Sequence, residues 1–298
     1  MSRAANPLSA FLVAVLGVGC LSAMDGAVKA MSLDVGALDA LCWRLAASVP
    51  LVVLAYVLLR KTRPTRTAVR LHVMRGVLGV PMALLFFSGL ERVPMAQAIA
   101  LAFMAPLFAL FWARLLLGEK VEGASVLGSI VAFSGTLLIF FGQAQADMGE
   151  AAFVGALMIL GSAVLYSFNI ILMRQQSQVA DPIEIALFLY LIPASLFWII
   201  GVGVGGGVQY PEGQEIAIVA AAVTGVAGTI LLAWAYRRAT ASYLSASEYA
   251  GFLWAAAFGF LLFGEVPLPW TVAGGAAIIA GVWIASRPAA PGHEMIEA

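Results

Sequence analysis

Ten apolar segments, each near the ~20 residues that span a bilayer as a helix, follow one another through the 298-residue chain with only short connections between them. That succession leaves one solvent for most of the surface, and it is lipid. Apolar residues make up 62% of the chain and charged residues 11%, against about 45–50% and about 25% in an average soluble domain. The mean hydropathy is +0.99. No single packed core could hide that much apolar surface from water.

A window of about 19 residues places the segments at Leu8–Met31, Val35–Leu59, Leu71–Leu90, Val93–Leu117, Gly123–Phe141, Ala151–Met173, Pro182–Val204, Glu215–Tyr236, Ala239–Phe263 and Leu268–Ser286. Barrel strands would instead alternate over about 10 residues, and these segments do not. The first is read as a retained span rather than a cleaved signal, because its apolar pattern runs on past the weak box before Cys20.

Basic residues collect in cytoplasmic loops. Arg60, Lys61, Arg63, Arg66, Arg70 and Arg75 cluster between the second and third segments, and Arg3, Arg114, Lys120, Arg174, Arg237, Arg238 and Arg287 fall on the same side. Thirteen of the sixteen basic residues then agree, and both termini, including the tail 287–298, are expected in the cytoplasm. Sixteen acidic residues cancel the sixteen basic ones, so there is no basic face for nucleic acid. With two cysteines, Cys20 and Cys42, and two histidines, His72 and His293, neither a disulfide framework nor a Cys/His metal site is expected.

An internal repeat organises the spans. With a shift of 146 residues and no gap, Arg92–Phe141 aligns with Arg238–Arg287: Leu115-Leu116 meets Leu261-Leu262, Gly118-Glu119 meets Gly264-Glu265, Gly128 meets Gly274 and Gly135 meets Gly281. Each unit holds five spans, an odd number, so the second unit must enter the membrane from the opposite side. Inverted repeats place a site near the bilayer midplane at their interface and allow alternating access. The expected fold is an all-α integral membrane protein of ten transmembrane helices in two inverted five-helix repeats, 8–141 and 151–286.

Ala98 through Glu119, with Pro106 and the Gly118-Glu119 pair, and its second copy Ser245 through Pro267 resemble the EamA-type repeat of the drug/metabolite transporter superfamily. Trp43-Arg44 fits the family's arginine in the second span. The resemblance runs from Leu8 to Ser286 and implies ten helices and cytoplasmic termini. Within the superfamily, the chain is most similar to the bacterial aromatic amino-acid exporters. It departs from the pattern in one place: many second repeats carry Glu-Pro where this chain has Gly251-Phe252, so no role passes to Glu248 by motif.

Charges at membrane depth are costly unless paired or hydrated, and they point to function. Asp25 and Lys29 lie four apart on one helix face and are expected to pair. Arg44 suits a carboxylate or braces the fold; either role stays open. Asp25 and Arg44 are candidates for coupling or gating, and Glu248 for contact with a substrate amino group or as a protonatable site. The resemblance implies that spans three, four, six, eight and nine surround a central cavity. That implication selects Met82, Phe86, Gln97, Tyr166, Trp234, Ser245, Glu248, Tyr249 and Trp254 as substrate-binding candidates. Ser245, Glu248, Tyr249 and Phe252 share one helix face at i, i+3, i+4 and i+7. Gly-rich stretches read as tight packing between helices, and Pro81, Pro106 and Pro193 as kinks.

A cavity with aromatics and few fixed charges favours small amphipathic solutes and disfavours phosphorylated ones, which need Arg or Lys clusters. No phosphate loop of the Gly-x-x-x-x-Gly-Lys-Ser/Thr type is present, so neither ATP hydrolysis nor an ATPase partner is expected. No cofactor, metal or catalytic set is expected either. The sequence thus reads as a secondary transporter exporting amino acids of broad range across a bacterial inner membrane. The alternative keeps the fold and moves another metabolite, such as riboflavin or S-adenosylmethionine.

Overall fold

The computed structural model describes residues 7–59, 63–105, 107–108, 112, 123–145, 149–203, 206–236, 238, 247 and 250–285. Among them run α1 (Pro7–Leu59), α2 (Arg66–Leu90), α3 (Met95–Ala102), α4 (Gly123–Gln145), α5 (Gly149–Val179), α6 (Pro182–Gly203), α7 (Glu215–Tyr236), α8 (Ala250–Phe263) and α9 (Pro269–Ala285). Among the described residues five helices are long and apolar enough to cross a membrane: those spanning Leu8–Leu59, Arg66–Leu90, Gly149–Met173, Pro182–Gly203 and Glu215–Ala235. The molecule is an all-helical membrane protein. Many large apolar side chains are exposed along the helices, among them Leu54, Leu58, Phe133, Ile199, Val219 and Leu253, as lipid contact requires.

Local chemistry explains where the helices turn. α1 joins the first two expected spans, with its break at Gly36 (φ 81°, ψ 160°) rather than between Met31 and Val35. A Cβ there would meet nothing within 4 Å, so backbone conformation, not space, requires glycine. Thr65 caps α2, its hydroxyl oxygen accepting from the Ala68 N–H at 3.1 Å. α8 ends at Gly264 (φ 67°), whose N–H donates to the Phe260 carbonyl at 2.9 Å while Glu265 N–H donates to Gly259 O at 3.0 Å. This is a glycine C-cap, and it aims the Glu265 side chain back at the bundle.

Helices of the two repeats pack against one another through glycine. A Cβ on Gly135 of α4 would lie 2.5 Å from the Gly274 carbonyl oxygen of α9, and one on Gly281 would lie 2.5 Å from the Gly128 carbonyl oxygen. As residue numbers rise along α4 they fall along α9, so the pair is antiparallel. Shifting by 146 residues turns the contact 128/281 into 274/135. Exchanging the repeats therefore reproduces the contact. Gly17 and Gly228 bring α1 against α7, and Gly89 and Gly155 bring α2 against α5, with the nearer added-Cβ distances to carbonyl oxygen 2.8 and 2.7 Å. Close backbone approach of this kind is how helices associate in lipid. α1 packs also on α6 and α8, and α3 on α5, α8 and α9.

Two sequence expectations are corrected. Arg75 is not a loop residue: it lies inside α2 and is 8% exposed. Lys29 does not pair with Asp25; its ammonium reaches Glu265 at 2.5 Å and donates to the Val93 carbonyl at 2.8 Å. In both cases the better partner lies on a segment remote in sequence.

Candidate functional site

Among the described residues, three groups of charged side chains stand out within the helix bundle. The first lies within α1, where Asp25 and Arg44 stand on the two sides of the Gly36 turn. Both are half-buried, and Arg44 is the charged neighbour that acts on Asp25 through space. The Arg44 guanidinium sits 5.9 Å from the centroid of the Phe87 ring, within cation–π range. Its Nε is buried with no hydrogen-bond partner. One fork of a donor built for carboxylates is thus left open beside an acidic group.

The second joins α1 to the end of α8. Glu265 Oε1 meets Lys29, and its Oε2 accepts from the Met95 N–H at 2.8 Å, at the start of α3. The Lys29 and Glu265 side chains are 5% and 17% exposed, and the Phe263 ring lies 5.2 Å from the ammonium. One carboxylate therefore neutralises a buried cation and satisfies a free helix N-terminus together.

The third ties α2 to α5 and α6. Arg75 donates from Nε to Asn169 Oδ1 at 2.7 Å and from Nη1 to Gln176 Oε1 at 2.8 Å. Gln176 Nε2 lies 2.7 Å from His72 Nδ1, and His72 Nε2 lies 2.8 Å from Glu184 Oε1. Arg75, His72, Asn169, Gln176 and Glu184 are all buried.

The other sequence candidates do not converge on one cavity among the described residues. Met82 and Phe86 lie half-buried on α2, the Met82 carbonyl accepting from the Ser162 hydroxyl at 2.8 Å and Phe86 meeting Phe87 edge-on at 5.1 Å. Gln97 is 1% exposed, and both polar atoms of its side chain lack a partner. Tyr166 is 43% exposed and within electrostatic reach of Arg75. Trp234 stacks under the Arg238 guanidinium at 3.8 Å. Trp254 packs its ring on Gly19 and donates from Nε1 to the Val15 carbonyl at 3.2 Å, so it serves the α1–α8 contact. Ser245, Glu248 and Tyr249 lie outside the described residues.

Sequence reasoning missed the roles of Glu265, His72, Gln176 and Glu184. Glu265 stood out as half of the repeated Gly-Glu pair, and its signal was a lone carboxylate at the mouth of an apolar hairpin. At Glu91, just past α2, burial pushes the carboxyl above its ordinary value, opposed by Arg92 and by the Ala37 backbone N–H.

Known proteins resemble this chain along most of its length. It is 28% identical over 281 residues to the pseudopaline exporter of Pseudomonas aeruginosa (strain UCBPP-PA14), covering 94% of this chain and 96% of that one. It is 29% identical over 211 residues to a riboflavin transporter of Rhizobium johnstonii, covering 70% of this chain and 67% of that one. Solute carrier family 35 member G1 of Homo sapiens is 24% identical over 218 residues, covering 70% of this chain and 60% of its own. A solved crystal structure at 22% identity aligns with a TM-score of 0.55 over 94% of this chain and 98% of its own, a likeness of fold. The EamA-like transporter family matches residues 8–141 and again 153–287. The chain is a small-metabolite transporter, not an enzyme, and belongs to the EamA-like transporter family.

Proposed function

We propose that this transporter exports small zwitterionic metabolites of the amino-acid class, aromatic members included, from the cytoplasm across a bacterial inner membrane. The observation that carries the reading is the Asp25–Arg44 pair: opposite charges, half-buried on either side of the Gly36 turn, with the Arg44 Nε free beside the Phe87 ring. An amino acid offers a carboxylate to the guanidinium, an ammonium to the carboxylate and a side chain to the ring. The Arg44 Nε then gains the acceptor it lacks. On this reading Asp25 and Arg44 bind substrate, beyond the coupling or gating roles expected from sequence.

Ten helices, cytoplasmic termini and alternating access between inverted repeats complete the proposal. Ser245, Glu248 and Tyr249, which share one helix face at helical spacing in the sequence, remain proposed substrate contacts. Met82, Phe86, Gln97, Tyr166 and Trp234 remain proposed contacts, with Gln97 the strongest because its buried amide is unpartnered. The similarity to riboflavin transporters favours a second cargo class, flat nucleobase-like compounds that stack on aromatics.

Counterflow in liposomes holding the purified protein separates the two. A panel of labelled amino acids is offered beside riboflavin and S-adenosylmethionine. Uptake of several amino acids, abolished in Asp25→Asn and reduced in Tyr249→Ala, is the expected result. Signal confined to riboflavin or S-adenosylmethionine would reassign the cargo.

A further inference from the structure

The hydrogen bonds from Asn169 to Glu184 run in one direction, and that direction fixes where the proton on His72 sits. A guanidinium only donates, so the Arg75 bonds make Asn169 Oδ1 and Gln176 Oε1 acceptors. The other end of the Gln176 amide is then its NH2 group, which donates to His72 Nδ1 at 2.7 Å. Nδ1 carries no proton. The ring proton is on Nε2 and is donated to Glu184 Oε1 at 2.8 Å, while the ring lies stacked on Phe188 at 4.5 Å. His72 is therefore neutral in this arrangement, held between a buried cation and a buried anion that cancel.

A proton added at Nδ1 would put an N–H against the Gln176 NH2. Turning the amide would relieve that clash only by setting its NH2 against the Arg75 guanidinium. Either way a bond between α2 and α5 is lost, and the buried cluster gains an uncompensated positive charge, which low polarity makes costly.

We infer that His72 is a proton-binding latch: in its neutral form it ties the basic-loop end of α2 to α5 through Gln176, and uptake of a proton at Nδ1 breaks that tie while the Nε2–H bond to Glu184 of α6 is kept. α2 belongs to the first repeat and α5 to the second, so release loosens one repeat from the other at a single end of the bundle. The titratable or charged groups facing the ring are Arg75 from α2 and Glu184 from α6, with the Tyr166 phenol of α5 in reach of Arg75. Asp181, in the turn between α5 and α6, is engaged with the Ile183 N–H, and the Arg174 side chain lies outside the described residues. The inference assigns a proton to the carrier proposed above and rests on that reading for its link to transport.

The latch is testable without any substrate, so its failure is distinct from failure of the cargo reading. Ser162 of α5 is 5% exposed and donates to the Met82 carbonyl of α2 at 2.8 Å. Ser162→Cys, in a background with Cys20→Ala and Cys42→Ala, reports separation of α2 from α5 by its labelling rate with a membrane-impermeant maleimide. Rates in detergent at pH 5.5 and 7.5 are normalised to Glu212→Cys, an exposed loop position, which removes the reagent's own pH dependence. The expected result is a severalfold faster normalised rate at pH 5.5. His72→Gln can still accept from Gln176 and donate to Glu184, and should hold the slow rate at both values. Gln176→Glu, which gives a protonated His72 an acceptor, should shift the fast phase to more acidic pH. A parent rate independent of pH, or an acid response retained in His72→Gln, would overturn the latch.

Discussion

Gly135 on α4 and Gly274 on α9 face each other so closely that a Cβ on either would lie 2.5 Å from the carbonyl oxygen of the other. The repeat exchanges this contact with Gly128–Gly281, its partner two turns away, so one geometric requirement is written twice into the sequence. No L side chain fits between these backbones.

Gly274→Val should therefore force α4 and α9 apart, at a cost of about 1–3 kcal/mol or more for an overpacked contact. Thermal unfolding in detergent should show the drop. Gly203→Ala, where nothing lies within 4 Å of the added Cβ, should unfold like the parent. Equal stability of the valine and parent proteins would show that the helices are not in contact there.

Lys29 and Glu265 make a buried pair that also caps α3. Breaking such a pair from one side costs about 3–5 kcal/mol because the remaining charge is stranded. Lys29→Met should destabilise the protein strongly, and Lys29→Met with Glu265→Gln should recover part of the loss. A double variant no better than the sum of the two singles would place the charges out of contact.

Glu91 supplies a pH prediction. Its folded carboxyl is raised above the ordinary value of 4.5, by burial first, with Arg92 and the Ala37 N–H opposing. The folded state then holds that proton more tightly than the unfolded one. Stability should fall as pH rises from about the ordinary value through the raised one, and it should be level above. Glu91→Gln, which never ionises, should lack this step in unfolding midpoint against pH. The effect is small, because part of the side chain meets solvent. A step of unchanged size in the variant would assign it to another group.

Trp254 separates packing from substrate contact. Its indole N–H is committed to the Val15 carbonyl and its ring to Gly19. Trp254→Phe should lower the unfolding midpoint by the loss of one hydrogen bond, about 1 kcal/mol, and leave the apparent KM for substrate unchanged. A raised KM with unchanged stability would return Trp254 to the substrate site.

The described parts of the architecture were legible in the sequence for a physical reason. Lipid leaves helices as the available solution for long apolar runs, and the ends of α2, α6, α7 and α9 fall within five residues of those read from hydropathy. The packing role of the glycines was legible too, because the 146-residue shift aligned Gly128 with Gly274 and Gly135 with Gly281, but which glycine faces which was not. The polar connections were not. Lys29 has a neighbouring acid four residues away, yet it pairs across 236 residues with Glu265. Local spacing cannot rank a partner brought in by a glycine cap. Arg75 looked like one more cation of a basic loop, and its burial depends on Asn169 and Gln176 of another repeat. Gly36 lay past the expected end of the first span, since Ser32 to Val35 offered the weaker apolar stretch but not the backbone freedom the turn needs.

Recognition of a zwitterion by Asp25 and Arg44 is tested most directly by competition with charge-deleted analogues. Counterflow of labelled phenylalanine is measured against unlabelled phenylalanine, 2-phenylethylamine, which lacks the carboxylate, and 3-phenylpropionate, which lacks the ammonium. The account predicts that only phenylalanine competes strongly in the parent, and that Arg44→Met abolishes discrimination against the amine. Equal competition by all three compounds, or a preference unchanged in both Asp25→Asn and Arg44→Met, would contradict it.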